Sequence, residues 1–357
     1  MKTIPSLLVF IALILSACEG TPTINQNPTA VQTNSNESSP VTAPTATAAY
    51  EMVTVKVNSS PVPSFAPISI ADVEGYFAEY GIKIDYVTFN KSNDALPLLV
   101  SGDLDVYASS VDAGLLNTLG QEDNVKVVAD RGHLSPDDGC TYLAIMVRKD
   151  LYDSGAITKA ADLKGQIIAA SNTGSTGYLL DTYLRQAGLT LNDVTLNNIP
   201  TAGYIDAFKN KSVAVIVAPE LWVTRLIAAG NAVILAGAQD VVGTTQLSIL
   251  AYGKNLIVDH PDIGARFMAA YLKGVQQYNQ GKTDRNLQIM SDATQISVSD
   301  LKASCWIPIS SDGMIDFSGI DNFQKWFVSQ GQLDSPITEE QFWDPSFLAT
   351  AQKLLNP

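Results

Sequence analysis

The stretch that decides the fold is DLKGQIIAASNTGSTGYLLDTYLRQAGL, which spans residues 162–189. Residues 166–170 read QIIAA and suit a buried strand, whereas residues 176–187 repeat apolar side chains at helical spacing and end at Gly188. The polar loop between them joins the end of a strand to the start of a helix. This order is typical of α/β domains, in which loops at the carboxyl ends of strands form binding sites.

The same alternation of strand and helix continues on both sides of this stretch. Upstream, the pattern predicts strands over residues 53–58, 82–89, 104–109, 125–131 and 140–147, with helices over 68–80 and 93–101. Downstream, it predicts strands over 194–199, 213–217, 232–236 and 247–252, with helices over 203–209, 220–229 and 263–278. We therefore expect an α/β fold with mainly parallel sheets flanked by helices.

Composition and charge narrow the function classes. The chain has 357 residues, with 22 Lys plus Arg, 36 Asp plus Glu and a net charge of −14. A negative chain repels phosphate backbones and anionic lipid headgroups, which argues against nucleic-acid binding and electrostatic membrane docking. With two His and three Cys, the chain has few ligands for a zinc site and few bases for a His-dependent catalytic relay. We therefore expect that the protein holds no metal or cofactor and is not an enzyme.

The N-terminus predicts export. Lys2 precedes an unbroken apolar run over residues 7–15, and Cys18 follows the small residues Ser16 and Ala17. Residues 1–17 resemble a bacterial lipoprotein signal peptide that is cleaved before a lipidated Cys18; an ordinary signal peptide is the alternative. Residues 18–49 are rich in Thr, Pro, Asn, Ser and Gln and are predicted to be a flexible tether. We expect a lipid-anchored protein on the outer face of the cell membrane.

Four loops are predicted to form a binding site because they leave strand ends or enter helix N-termini, where backbone N–H groups point toward a ligand. They span residues 59–67, 109–112, 171–176 and 219–222. The predicted ligand-binding residues are Ser60, Ser109, Ser110, Asp112, Asn172, Thr173, Gly174, Ser175, Thr176, Tyr204, Glu220 and Trp222. The alternative for each polar residue is a helix cap or turn without a ligand.

These loops contain no Lys or Arg, and this disfavours an oxyanion ligand without excluding one. Trp222, Tyr107 and Tyr204 lie on or beside the loops, and aromatic faces suit a flat heterocycle. Core filling is the competing interpretation for each ring. Asp112 and Glu220 are candidate hydrogen-bond acceptors for such a ligand, or else they favour the adjacent helix N-termini.

The remaining cysteines and one loop leave alternatives open. Cys140 and Cys305 either form a disulfide or are two buried thiols. The string TGSTG at residues 173–177 joins strand to helix like a hydrolase nucleophile elbow, but its first position is Thr instead of Gly. Neither His133 nor His260 is an obvious catalytic base. This disfavours a hydrolase.

Four stretches carry a family resemblance. Residues 162–189 and the strings SSPVPSFAPISIADVEGYFAEYGIKIDYVTF from Ser59, LPLLVSGDLDVYASS from Leu96 and ARFMAAYLKGVQQYNQG from Ala265 resemble substrate-binding proteins of ABC importers for sulfonates, taurine, nitrate, thiamine pyrimidine and riboflavin. The insertion RGHLSPDDGC from Arg131 and the phrase MVRKDLYDSG from Met146 are most similar to the riboflavin-type members.

The resemblance implies a two-lobed periplasmic-binding fold of type II that closes on a small molecule and delivers it to a permease and its ATPase. One lobe is expected to contain residues 50–139 and 238–357, and the other residues 140–237. The implied ligand is riboflavin or a related flat vitamin precursor. The alternatives are a sulfonate, taurine or nitrate, or an enzyme similar to thiamine-pyrimidine synthases.

Overall fold

Ten β-strands form two five-stranded sheets in the computed structural model, which describes residues 50–89, 92–137 and 139–356. In chain order the strands are β1 (Val53–Asn58), β2 (Ile82–Val87), β3 (Val106–Ser110), β4 (Lys126–Leu134), β5 (Leu143–Arg148), β6 (Ile167–Ala169), β7 (Thr195–Asn197), β8 (Val215–Pro219), β9 (Ala232–Gly237) and β10 (Thr245–Tyr252). The first sheet has the order β2-β1-β3-β10-β4, and the second has the order β7-β6-β8-β5-β9. The predicted signal peptide, Cys18 and tether lie outside the described residues.

Helices flank both sheets. In the described part of the chain they are α1 (Ala66–Val73), α2 (Tyr76–Glu79), α3 (Leu96–Ser101), α4 (Ala113–Gln121), α5 (Lys149–Asp153), α6 (Gly174–Arg185), α7 (Tyr204–Lys209), α8 (Trp222–Ala228), α9 (Ala238–Val242), α10 (Pro261–Tyr278), α11 (Asp284–Thr294), α12 (Val298–Ala303), α13 (Phe317–Ser329), α14 (Glu339–Phe342) and α15 (Ser346–Leu355). This arrangement confirms the predicted α/β class. Strands β5 to β9 fall within residues 140–237, but the lobe boundaries themselves stay a prediction.

The sheets are mixed, whereas the sequence pattern predicted mainly parallel ones. In each sheet two strand pairings are parallel and two are antiparallel. The antiparallel pairings involve β10 and β5, which each follow a short crossing from the other sheet. Neither crossing contains a helix that returns the chain to the amino edge of the sheet. Each of these two strands therefore starts at the carboxyl edge and runs antiparallel to its neighbours.

Gly75 divides the helix predicted over residues 68–80. Its φ of +79° lies in the left-handed region, so α1 ends before it and α2 starts after it. Gly81 has a φ of +67° and ends the second of these helices; a Cβ there would lie 2.5 Å from Tyr50 Cβ, so only glycine fits.

The C-terminal helices α12 and α13 contact two helices that flank the second sheet. On one side, Phe323 of α13 stacks on Tyr178 of α6 with 4.9 Å between ring centroids. On the other side, Asp300 of α12 pairs with Arg225 of α8 at 2.6 Å. These contacts position the loops of the two sheets relative to one another.

Candidate functional site

The carboxyl ends of strands from both sheets converge on one cavity. Strands β1, β3 and β4 point the same way, so they end at one edge of the first sheet. In the second sheet β6 and β8 are parallel, and Leu143 at the start of β5 lies opposite Pro219 at the end of β8. Between these edges lies a cavity of about 450 Å³, lined by Ser110, Val111, Asp112, Ala113, Gly114, Thr173, Gly174, Ser175, Thr176, Phe327 and Gln332.

Two helix N-termini face this cavity, one from each sheet. In α4 the Asp112 carboxylate caps the helix, since Oδ1 accepts a 2.9 Å bond from the backbone N–H of Leu115. In α6 no side chain caps the helix: Thr173 is extended, and its backbone N–H donates to Ser171 Oγ at 3.1 Å. The first N–H groups of α6 therefore have no side-chain partner in the helix itself and lie where a ligand oxygen can accept from them.

Six of the predicted residues therefore meet at one place, namely Ser110, Asp112, Thr173, Gly174, Ser175 and Thr176. Ser60 lines a separate cavity of about 250 Å³ beside Phe65 and Tyr86. Ser109 is buried next to the Tyr107 phenol, and burial raises the pKa of that phenol to about 12. Their ligand contacts stay predictions.

Asn172 lies at the rim of the cavity. Its carbonyl accepts a 3.2 Å bond from the Gln332 side chain, which also lines the cavity.

The predicted aromatic residues pack against each other. Tyr204 is buried, and its ring meets that of Trp222 edge-on, with 5.9 Å between ring centroids. The guanidinium of Arg225 lies over the Trp222 ring, with 5.1 Å between its Cζ atom and the ring centroid. Both rings belong to the core between α7, α8 and the second sheet, and neither lines the cavity between the sheets. Their role in binding a ligand stays a prediction without support from this packing.

Glu220 is buried and holds two segments together. Its carboxylate accepts from the backbone N–H and the hydroxyl of Thr224 at 3.0 and 2.8 Å, and from the backbone N–H of Cys305 at 2.8 Å. Cys305 forms a disulfide with Cys140, with 5.7 Å between the Cα atoms, which resolves the alternative left open by the sequence. Three donors already occupy the Glu220 carboxylate, so these contacts support a structural role.

Arg131 is a functional candidate that the sequence analysis missed. It is 2% exposed and is the bulkiest fully buried side chain in the described part of the chain. Its Nε donates to the carbonyl of Ile249 at 3.3 Å, and its Nη1 donates to Ser64 Oγ at 2.9 Å. The four predicted loops follow strand ends, whereas Arg131 lies inside β4. The sequence does contain a signal for this residue, because an arginine within an apolar strand is rarely buried unless it is paired.

Beside it, the buried Asp130 carboxylate pairs with the partly exposed His133. The two side chains approach to 2.7 Å, and Asp130 also accepts bonds from Gln246 Nε2 and from the backbone N–H groups of Gly132 and Ser310, all at 2.7 Å. The carboxylate thus joins β4, β10 and the segment before α13. Among the described residues, no group of three or more His, Cys, Asp or Glu side chains is placed to hold a metal ion.

Comparison with known families identifies the chain. The family model described as NMT1/THI5 like matches residues 62–280, which is more than half of the sequence. The chain belongs to this family. Comparison with the curated proteins finds no match. In the described part of this family member, no helix is both long and apolar enough to cross a membrane.

Solved structures share the fold of this NMT1/THI5-like chain. The ligand-binding component of an ABC-type import system from Staphylococcus aureus, solved with zinc bound, has a TM-score of 0.67 at 18% identity, covering 84% of this chain and 98% of that one. The alkanesulfonate-binding protein SsuA from Xanthomonas axonopodis pv. citri, bound to MOPS, has a TM-score of 0.62 at 18% identity, with coverages of 83% and 99%. The desulfurization enzyme DSZB has a TM-score of 0.63 at 16% identity, with coverages of 84% and 99%.

These likenesses confirm the predicted two-lobed fold of the type II periplasmic-binding class. They show the fold alone, because the identities are low and the same fold occurs in binding components and in an enzyme.

Proposed function

We propose that this chain is the solute-binding protein of an ABC import system, and that it delivers a small oxyanion, such as a sulfonate, taurine or nitrate, to a membrane permease and its ATPase. The observation that carries this proposal is the cavity of about 450 Å³ between the carboxyl edges of the two sheets. Both edges contribute a helix N-terminus and hydroxyl groups to it.

The chemistry of the cavity favours an anion over a flat heterocycle. Our prediction of riboflavin rested on the resemblance of residues 131–140 and 146–155 to riboflavin-type members and on the aromatic residues Trp222, Tyr107 and Tyr204. Trp222 and Tyr204 pack against each other, and none of the three rings lines the cavity. The side chains of Ser110, Ser175 and Thr176 supply hydroxyl donors instead, and the uncapped amides of α6 supply backbone donors. The Asp112 carboxylate also lines the cavity, and its negative charge suits the amine of a solute such as taurine.

Binding between two sheets provides a mechanism for delivery. A solute that contacts both edges stabilises the arrangement in which they are close, because only differential contacts shift such an equilibrium. The closed form then presents a different surface to a permease. Export and a lipid anchor at Cys18, with residues 19–49 as a tether, would hold this body beside that permease.

The experiment is thermal unfolding and small-angle scattering with sulfate, methanesulfonate, taurine, nitrate and riboflavin. We expect at least one anion to raise the melting temperature of the parent protein and to reduce its radius of gyration. Ser175→Trp fills the cavity and should abolish both effects. Ser154→Trp, at the exposed end of α5, is the matched control and should retain them. Solute binding without compaction, or unaffected by Ser175→Trp, would contradict the proposal.

The anchor is tested separately. Cys18→Ser should remove the lipid and give uncleaved precursor or secreted protein, measured by metabolic labelling with a fatty-acid probe and by cell fractionation. A variant that stays labelled and membrane-bound would show that Cys18 is not the acceptor.

A further inference from the structure

We propose that Arg131 is the residue that binds the negative group of the solute, in a subsite completed by Ser64 and Tyr142. This assignment deepens the proposed function and rests on it. The ligand chemistry is an oxyanion with two oxygens in one plane, as in a sulfonate or a carboxylate, since a guanidinium presents a planar fork of donors that matches such a pair.

The first argument is the hydrogen bonding of the guanidinium. An arginine side chain has five N–H donors. Among the described residues, hydrogen bonds use two of them, to Ile249 and Ser64. Burial of a charged group costs free energy when some of its N–H donors lack an acceptor. An additional acceptor would therefore stabilise the Arg131 guanidinium.

The second argument is charge. No carboxylate oxygen of the described residues lies within 4.0 Å of the Arg131 guanidinium. The neighbouring acid Asp130 is committed elsewhere, since its carboxylate takes part in four other hydrogen bonds. The buried positive charge therefore has no direct counter-ion of its own, and an anionic solute would supply one.

The third argument is position. Arg131 lies three residues before the carboxyl end of β4, at the edge that faces the second sheet. Ser64 follows the carboxyl end of β1 at the same edge. Tyr107 lies within electrostatic reach of both Arg131 and Asp112, and Asp112 lines the cavity between the sheets. The subsite therefore lies at the same sheet edge as the cavity that carries the proposed function, although Arg131 itself does not line that cavity.

Tyr142, which directly precedes β5, covers the Arg131 guanidinium from the side of the second sheet. Its phenol lies within electrostatic reach of Arg131 and Glu220, and its hydroxyl makes no hydrogen bond with another described residue. Because Ser64 and Ile249 belong to the first sheet and its loops, separation of the sheets would remove only the Tyr142 side of the enclosure. The guanidinium would then be open to an entering solute, and closure would bring the phenol back onto it.

The test compares Arg131→Met with Arg285→Met, a matched control whose arginine is exposed and paired with Glu74. The probes are sulfate, methanesulfonate, taurine and riboflavin at constant ionic strength. We expect the anions to raise the melting temperature of the parent and of Arg285→Met, and Arg131→Met to lose this rise, with affinity reduced about 10-fold or more. Without anion, Arg131→Met should melt at the parent temperature or above it, because the uncompensated charge is gone.

Three outcomes would overturn the assignment. An anion effect that survives in Arg131→Met shows that another group binds the anion. A parent protein that responds to no anion shows that Arg131 does not bind an anionic solute. A response to riboflavin alone would support the solute-binding function but overturn the assignment of Arg131. If Arg131→Met does not fold, Arg131→Lys keeps the charge without the planar fork, and equal affinity in that variant also overturns the assignment.

Discussion

The indole Nε1 of Trp326 donates a 3.0 Å hydrogen bond to Oδ2 of Asp181. Both side chains are buried, and they join α13 to α6, the helix that starts at the cavity. Phe327, the next residue after this tryptophan, lines the same cavity. One buried bond therefore fixes a wall of the proposed binding site to the helix whose N-terminus faces the cavity.

Removing this bond should destabilise the protein. Trp326→Phe keeps a ring but leaves the buried carboxylate without its indole donor, and hydrogen bonds to charged groups contribute about 1.5 to 3 kcal/mol. We expect a loss in that range in the free energy of unfolding, measured by urea denaturation. Lys325→Gln, which breaks the exposed ion pair with Asp321 in the same helix as Trp326, should cost less than about 1 kcal/mol. Equal losses in both variants would contradict this interpretation.

Trp222→Ala should act on stability and leave affinity unchanged. Its indole packs in the core against Tyr204, and truncation of a partly buried tryptophan there should cost about 2 to 4 kcal/mol. Chemical denaturation and calorimetry with the anions measure the two quantities. Ile227→Ala, at an exposed position of the same helix, is the control. Weaker riboflavin binding at unchanged stability would instead support our prediction of a stacking role.

The Cys140–Cys305 disulfide should contribute strongly to stability. It joins residues 165 apart in sequence, and a closed loop of that length restricts the unfolded chain by about 4 to 5 kcal/mol in the chain-entropy model. The double variant Cys140→Ser/Cys305→Ser should unfold at clearly lower urea concentration than the parent. Dithiothreitol should lower the stability of the parent but not that of the double variant. Free thiols in the unreduced parent, detected by alkylation and mass spectrometry, would contradict the pairing.

Stability should fall at alkaline pH partly through Tyr142. Burial raises the pKa of this phenol to about 12, and the Arg131 charge opposes that rise. A phenol in the unfolded chain titrates near 10, so between these values the unfolded state loses a proton that the folded state keeps. The contribution is fully present below pH 10 and is lost as pH rises through 12.

Urea unfolding at several pH values between 9 and 12 measures this slope, which for one group approaches about 1.4 kcal/mol per pH unit. Tyr142→Phe should reduce the slope, whereas Tyr152→Phe, at an exposed position, is the control. Identical slopes in the parent and in Tyr142→Phe would contradict the predicted protonation of this phenol.

Local patterns were sufficient for the ten strands, for the helices α3, α6, α7, α8 and α10, and for the placement of six predicted residues at the candidate site. Hydrophobic periodicity and glycine stops located strands and helices because both depend on neighbours a few residues away in the chain. The pattern around residues 162–189 also predicted the loop that lines the cavity, since a loop that leaves a strand and enters a helix lies at a sheet edge whatever its partners are. The α/β class followed from the sequence by itself.

Only the tertiary structure decided which side chains meet there. The reversed direction of β5 and β10, the Cys140–Cys305 bond and the packing of Trp222 on Tyr204 all depend on contacts between residues far apart in the chain or on which face a helix presents to a sheet. Arg131 is the clearest case. In the sequence it is one residue of an apolar strand; its burial and its missing counter-ion arise from Ser64, Ile249 and Tyr142, which folding alone brings around it.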